Sequence, residues 1–103
     1  MKERGSERIE FLCNYDPAQR ALIDLSTSGA AFIHPVEIKK GTKISVRIKD
    51  YLIEAVIVYC QQRTDGYRVG MQFIKVLPDI EKALKIMVDE FSRGVPLLCE
   101  VVG

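Results

Sequence analysis

From Ile9 to Ile74, apolar residues recur at every second position in one short run after another; beyond Leu77 the spacing becomes that of a helix. Period two buries one face of a strand and spacings of three and four build one face of a helix, so this switch restricts the fold more than any other feature of the chain. The cleanest run is "TKISVRIK", where Ile44, Val46 and Ile48 alternate with Lys43, Ser45, Arg47 and Lys49. It predicts a strand with one wet face. "IEFLCNY" alternates Ile9, Phe11, Cys13 and Tyr15, "RALIDL" predicts a strand with Ala21, Ile23 and Leu25 on one face, and "AAFI" is a short continuous run. "LIEAVIVYCQ" is apolar on both faces, "RTDG" supplies an Asp-Gly hairpin signal, and "YRVGMQFI" alternates Tyr67, Val69, Met71 and Phe73 against Arg68, Gly70 and Gln72.

The change of period falls in "LPDIEKALKIMVDEFSRG", where Ile80, Ala83, Leu84, Met87, Val88 and Phe91 share one helical face. Pro78 suits the first helical position, Asp79 and Glu81 complement the helix N-terminus, and Gly94 ends the helix after Arg93. Short strands followed by one amphipathic helix leave two architectures, a barrel with the helix over an open end or a sheet with the helix on one face. The expectation is all-β: a six-stranded antiparallel β-barrel with one C-terminal amphipathic α-helix. At 103 residues and 48% hydrophobic composition, residues 1–103 are expected to form a single domain. Its parts are an arm over 1–8, the barrel over 9–75, the helix over 78–93 and a tail over 94–103. The tail, "VPLLCEVVG", is apolar and either packs back as an irregular strand or contributes to self-association, so monomer and dimer both stay open.

Composition excludes several functions. Fifteen Lys plus Arg against fourteen Asp plus Glu leave a net charge of +1, which gives no field for long nucleic acid. A small barrel for single strands would want a basic groove with exposed aromatics, and neither is evident. "MKERGSERIE" lacks the apolar core of a secretory signal, and "AVIVYC" is too short to span a bilayer. A cytoplasmic protein without membrane insertion is expected. Cys13, Cys60 and Cys99 are widely spaced, and His34 is the only histidine, which disfavours a metal site and a cysteine nucleophile. No paired carboxylates, no Gly-Lys-Ser loop and no serine with a histidine base are present, so neither catalysis nor a cofactor is expected.

Two polar clusters remain: "RGSER", with Arg4 and Arg8, and "DLSTSG", with Asp24, Ser26 and Gly29. An arginine fork can grip a phosphate or the O6/N7 edge of guanine, and its plane can stack on a base. Asp24 accepts from the N1–H and N2–H donors on the opposite edge of guanine, Ser26 adds a hydroxyl, and Gly29 lets a flat ligand approach. The set complements a guanine nucleotide. Turn chemistry explains the hexapeptide equally: Asp24 or Ser26 can bond backbone N–H groups just downstream, with Gly29 at a positive φ.

Arg4-x-x-x-Arg8 before the first strand, Asp24-x-Ser26-x-x-Gly29 after the second and "YRVGMQF" near the end of the strands together resemble the PilZ domain family over nearly the whole chain. The resemblance implies a six-stranded barrel with a C-terminal helix and a non-catalytic receptor for the bacterial second messenger cyclic di-GMP, with bearing on motility and biofilm formation. It makes Arg4 and Arg8 the ligand-gripping residues of an arm drawn across the barrel. Asp24 and Ser26 would take polar edges of a guanine, Gly29 would keep the floor clear, and Gly70 would be a bulge or close-approach point. Many family members carry a further basic residue beside the first arginine, whereas Glu3 and Gly5 flank Arg4 here. The implied output is contact with an unidentified protein partner. The alternative is a PilZ-like interaction module that binds no nucleotide and serves pilus or flagellar assembly.

Overall fold

The computed structural model describes residues 19–102. Six strands and one helix follow in the order β1 (Gln19–Leu25), β2 (Gly29–His34), β3 (Lys43–Ile48), β4 (Tyr51–Arg63), β5 (Gly66–Ile74), α1 (Pro78–Ser92) and β6 (Leu98–Val101). The strands pair antiparallel into a closed barrel in the order β1-β2-β5-β4-β3-β6. Closure leaves no continuous open edge around the barrel, which is how a small all-β domain satisfies its backbone without a partner.

Alternation sets the inside. Ile44, Val46 and Ile48 of β3, Ile53, Ala55 and Ile57 of β4, and Val69, Met71 and Phe73 of β5 are buried, as period two requires. The expected hairpin between β4 and β5 turns at Thr64 and Asp65, with Gly66 at φ +130°, a value that L side chains rarely adopt. In α1, Pro78 occupies the first turn with Asp79 and Glu81, and Ala83, Leu84 and Met87 are buried. These three join the same core as the inward strand residues, and a helix reaches the interior of a closed barrel only through an end. The C-terminus of α1 is finished by Gly94 at φ +91°, where the Val95 N–H donates to the Glu90 carbonyl at 3.1 Å. Lys49 in the β3–β4 turn pairs with Glu90 at 2.8 Å and so fastens the helix to that rim.

The sequence-based picture changes in two places. Leu22 and Leu25 are buried in β1, while Ile23 is 40% exposed and Ala21 is exposed as well; the face expected to hold Ala21, Ile23 and Leu25 is therefore not the inner one. The cause is an irregularity in β1–β2 pairing between Leu22 and Asp24, which lets residues three apart both point inward. The sixth barrel strand comes from the tail. Leu98–Val101 pairs with β1 on one side and β3 on the other, burying Cys99 at 1% exposure. Of the two alternatives for the tail, the structure takes the strand, so the barrel includes residues beyond the expected 9–75. The alternating segment from Ile9 to Tyr15 lies outside the described residues.

Candidate functional site

The β1–β2 turn is built by its own serines. The Ser26 N–H donates to the Gly29 carbonyl at 2.8 Å, and the Ser26 Oγ accepts from the N–H groups of Ser28 and Gly29 at 3.2 Å each. Those two donors fill the oxygen's lone pairs, leaving one O–H with a choice between the Gly29 carbonyl at 3.3 Å and the Ser28 Oγ at 3.1 Å. The Ser28 carbonyl in turn accepts from the Phe73 N–H at 2.8 Å, tying the turn to β5. Gly29 is not at positive φ. A Cβ there would collide with the Met71 carbonyl oxygen, so the glycine is required by close packing of β2 on β5.

Strand register then carries this turn into a larger surface. Asp24 of β1 lies opposite Ala31 of β2, Ala31 opposite Gly70 of β5, and Gly70 opposite Tyr59 of β4. Residues directly opposite on antiparallel strands share a face, so these four form one lateral row on the outside of the barrel. At about 4.8 Å per strand the row runs roughly 14 Å, from a carboxylate at one end to a phenol at the other. The two middle members carry one methyl group and none, which makes the floor low. A depression of about 170 Å³ forms there, lined by Asp24, Ser26, Gly29, Ala31, Val58, Tyr59 and Gly70 among others. Asp24 is exposed, and its carboxylate makes no hydrogen bond or ion pair with another described residue.

Four of the residues singled out in the sequence, Asp24, Ser26, Gly29 and Gly70, therefore meet at one depression. Arg4 and Arg8 lie outside the described residues. Tyr59 is the site residue that sequence reasoning missed. Alternation already puts Val58 outward after Ile57; the β4–β5 pairing slips between Ile57 and Tyr59, so Tyr59 points outward as well and lies across Gly70. A Cβ on Gly70 would collide with the Tyr59 ring, and the phenol oxygen accepts a hydrogen bond from Arg68 Nε at 3.0 Å. His34, at the end of β2, is used locally: its Nδ1 lies 3.0 Å from the Val36 carbonyl and 3.3 Å from the Val36 N–H. Among the described residues no three His, Cys, Asp or Glu side chains gather as a metal site, and no helix is long and apolar enough to cross a membrane.

The family model for the PilZ domain matches residues 6–90, and the chain belongs to that family. PilZ domains are generally non-catalytic receptor modules for cyclic di-GMP. The match includes Arg8 and the whole Asp24–Gly29 turn, starts just after Arg4, and ends before β6. Comparisons with curated proteins and with solved structures returned no match.

Proposed function

We propose that this chain is a non-catalytic cyclic di-GMP receptor of the cytoplasm that passes the signal to a protein partner. The observation that carries the reading is the cross-strand row Asp24–Ala31–Gly70–Tyr59 with Ser26 and Gly29 at its end, which gathers polar partners for a guanine beside a low floor at Gly29 and Ala31 and the Tyr59 ring that lies across Gly70. Asp24 accepts from the N1–H and N2–H donors of the base, Ser26 turns its one mobile O–H to it, Gly29 leaves the base room to approach, and the Tyr59 ring, seated on Gly70, bounds the far side. The depression, at about 170 Å³, is smaller than the roughly 300–1,000 Å³ of a complete small-molecule pocket, so it takes part of the nucleotide only. Arg4 and Arg8 supply the remainder, gripping phosphates and guanine O6/N7 edges from above. Isothermal titration with cyclic di-GMP, alongside GMP and GTP, tests this. Saturable heat for cyclic di-GMP, at an affinity of about micromolar or better, is expected; a silent titration at high ligand concentration overturns the reading.

A further inference from the structure

The floor of the site does not stop at Tyr59. On the same outer face, two residues farther along β5, Arg68 lies opposite Ile33 of β2 on one side and Gln61 of β4 on the other. Tyr59, Cys60, Gln61 and Arg68 line a second, more open depression of about 430 Å³, and Tyr59 is the wall the two depressions share. Arg68 spends Nε on the phenol oxygen of Tyr59 at 3.0 Å, while its two terminal nitrogens make no hydrogen bond or ion pair with another described residue. A guanidinium half-fixed in this way has lost part of the freedom that a surface arginine must give up on binding, and it still has four N–H donors to offer. Gln61, directly across the strand pair, adds an amide on the same face.

We propose that the nucleotide-binding surface continues past Tyr59 into this second depression, where Arg68 receives an acceptor oxygen of the ligand, a phosphate or a guanine O6, that the first depression is too small to hold. The inference rests on the receptor reading above. It gives Arg68 two duties: it positions the Tyr59 ring over Gly70 through Nε, and it binds ligand through its terminal nitrogens. The duties separate by substitution. Tyr59→Phe removes the Nε–phenol bond and keeps both the ring and the charge; Arg68→Gln removes bond and charge together; Arg68→Lys keeps the charge without the fork.

The test is titration of the full chain and these three variants with cyclic di-GMP at low and high NaCl, with Asp24→Ala as the control for the first depression and thermal midpoints recorded for all. The expected order of loss is small for Tyr59→Phe, intermediate for Arg68→Lys and about tenfold or more for Arg68→Gln, as for one charge-assisted contact. Where the acceptor is a phosphate, the Arg68→Gln deficit narrows at high salt, because screening already weakens that contact in the parent; for a guanine O6 it narrows little. Asp24→Ala should melt close to the parent, and the Tyr59 and Arg68 variants, which give up the Arg68–phenol hydrogen bond, should stay folded with midpoints lowered by several degrees at most. Loss in Asp24→Ala with parent-like affinity in Arg68→Gln overturns the second depression and leaves the receptor reading standing. Equal losses in Tyr59→Phe and Arg68→Gln also overturn it, since Arg68 would then act only through the ring. A parent chain that gives no heat removes the receptor reading and this inference with it.

Discussion

Gly29 and Gly70 both line the candidate site, and both exclude a Cβ, but for reasons that give opposite outcomes on substitution. At Gly29 the obstructing atom is the Met71 carbonyl oxygen, part of the backbone of the neighbouring strand, and it can move only if the β2–β5 pairing moves. Overpacking of this kind costs about 1–3 kcal/mol. At Gly70 the obstruction is the Tyr59 ring, which is 39% exposed and can rotate into solvent. Displacing it gives up the Arg68–phenol hydrogen bond, worth about 0.5–1.5 kcal/mol net. Replacing a strand glycine by alanine returns roughly 0.5–1 kcal/mol of backbone entropy. The net cost of Gly70→Ala is therefore within about 1 kcal/mol of zero, whereas Gly29→Ala, set against backbone that cannot yield and so at the upper end of the overpacking range, still loses about 2 kcal/mol after the same entropy return, or roughly 8–16 °C in midpoint for a domain of this size. Binding should respond the other way round relative to stability: Gly70→Ala puts a methyl group in the floor and unseats Tyr59, so it should bind cyclic di-GMP at least tenfold more weakly while melting near the parent. Thermal denaturation and titration on the same preparations read both quantities. A Gly29→Ala variant as stable as the parent, or a Gly70→Ala variant that binds as well as the parent, would refute the packing on which the site description rests.

Three further outcomes follow from the fold. A chain ended after Pro96 loses Leu97 and Cys99 from the core and uncovers the pairing edges of β1 and β3, so it should be largely unfolded or aggregated by circular dichroism and size exclusion; a folded monomer would show that β6 does not close the barrel. Leu84→Ala, at a helix position with no exposure, should cost about 2–5 kcal/mol in urea unfolding, and a loss under 1 kcal/mol would mean α1 does not plug the core. Burial, opposed by the Arg20 charge, pushes the Cys99 thiol from 9.0 up to about 12. The native state then keeps a proton that the unfolded chain releases, so this contribution is full below about pH 9 and is lost as pH rises toward 12, at no more than about 1.4 kcal/mol per pH unit. The difference in urea midpoint between the parent and Cys99→Ala should shrink across that window; a difference independent of pH would contradict the burial argument.

What could be read from the sequence depended on whether a strand's inner face is set by its own pattern or by its neighbours. The alternation from Lys43 to Lys49 was enough, because β3 pairs without slippage and every second residue is inward. β1 was read in the wrong phase because its irregularity at Leu22/Asp24 belongs to pairing with β2, and no residue in "RALIDL" announces it. The strand at Leu98–Val101 was ambiguous because a short apolar tail has the same composition whether it enters a barrel or meets a partner. Asp24, Ser26 and Gly29 were legible as a compact polar group, yet the account of Gly29 changed from backbone freedom to close strand packing. Tyr59 stayed hidden inside "AVIVYC", which reads as apolar on both faces until the slip beyond Ile57 turns the phenol outward. Its one sequence trace was Gly70, a glycine interrupting a run of large residues, which marks a point where something approaches closely without saying what.

The central claim is that the Asp24 turn and the arginine pair Arg4 and Arg8 are two halves of one cyclic di-GMP site. Titration of the parent, Arg8→Ala and Asp24→Ala with cyclic di-GMP, with thermal midpoints measured in parallel, tests it most directly. The account expects saturable binding by the parent, a loss of about tenfold or more in each variant, and midpoints that hold; Asp24 is exposed and its carboxylate makes no hydrogen bond or ion pair with another described residue. Binding that survives both substitutions, or is absent from a folded parent, would contradict it.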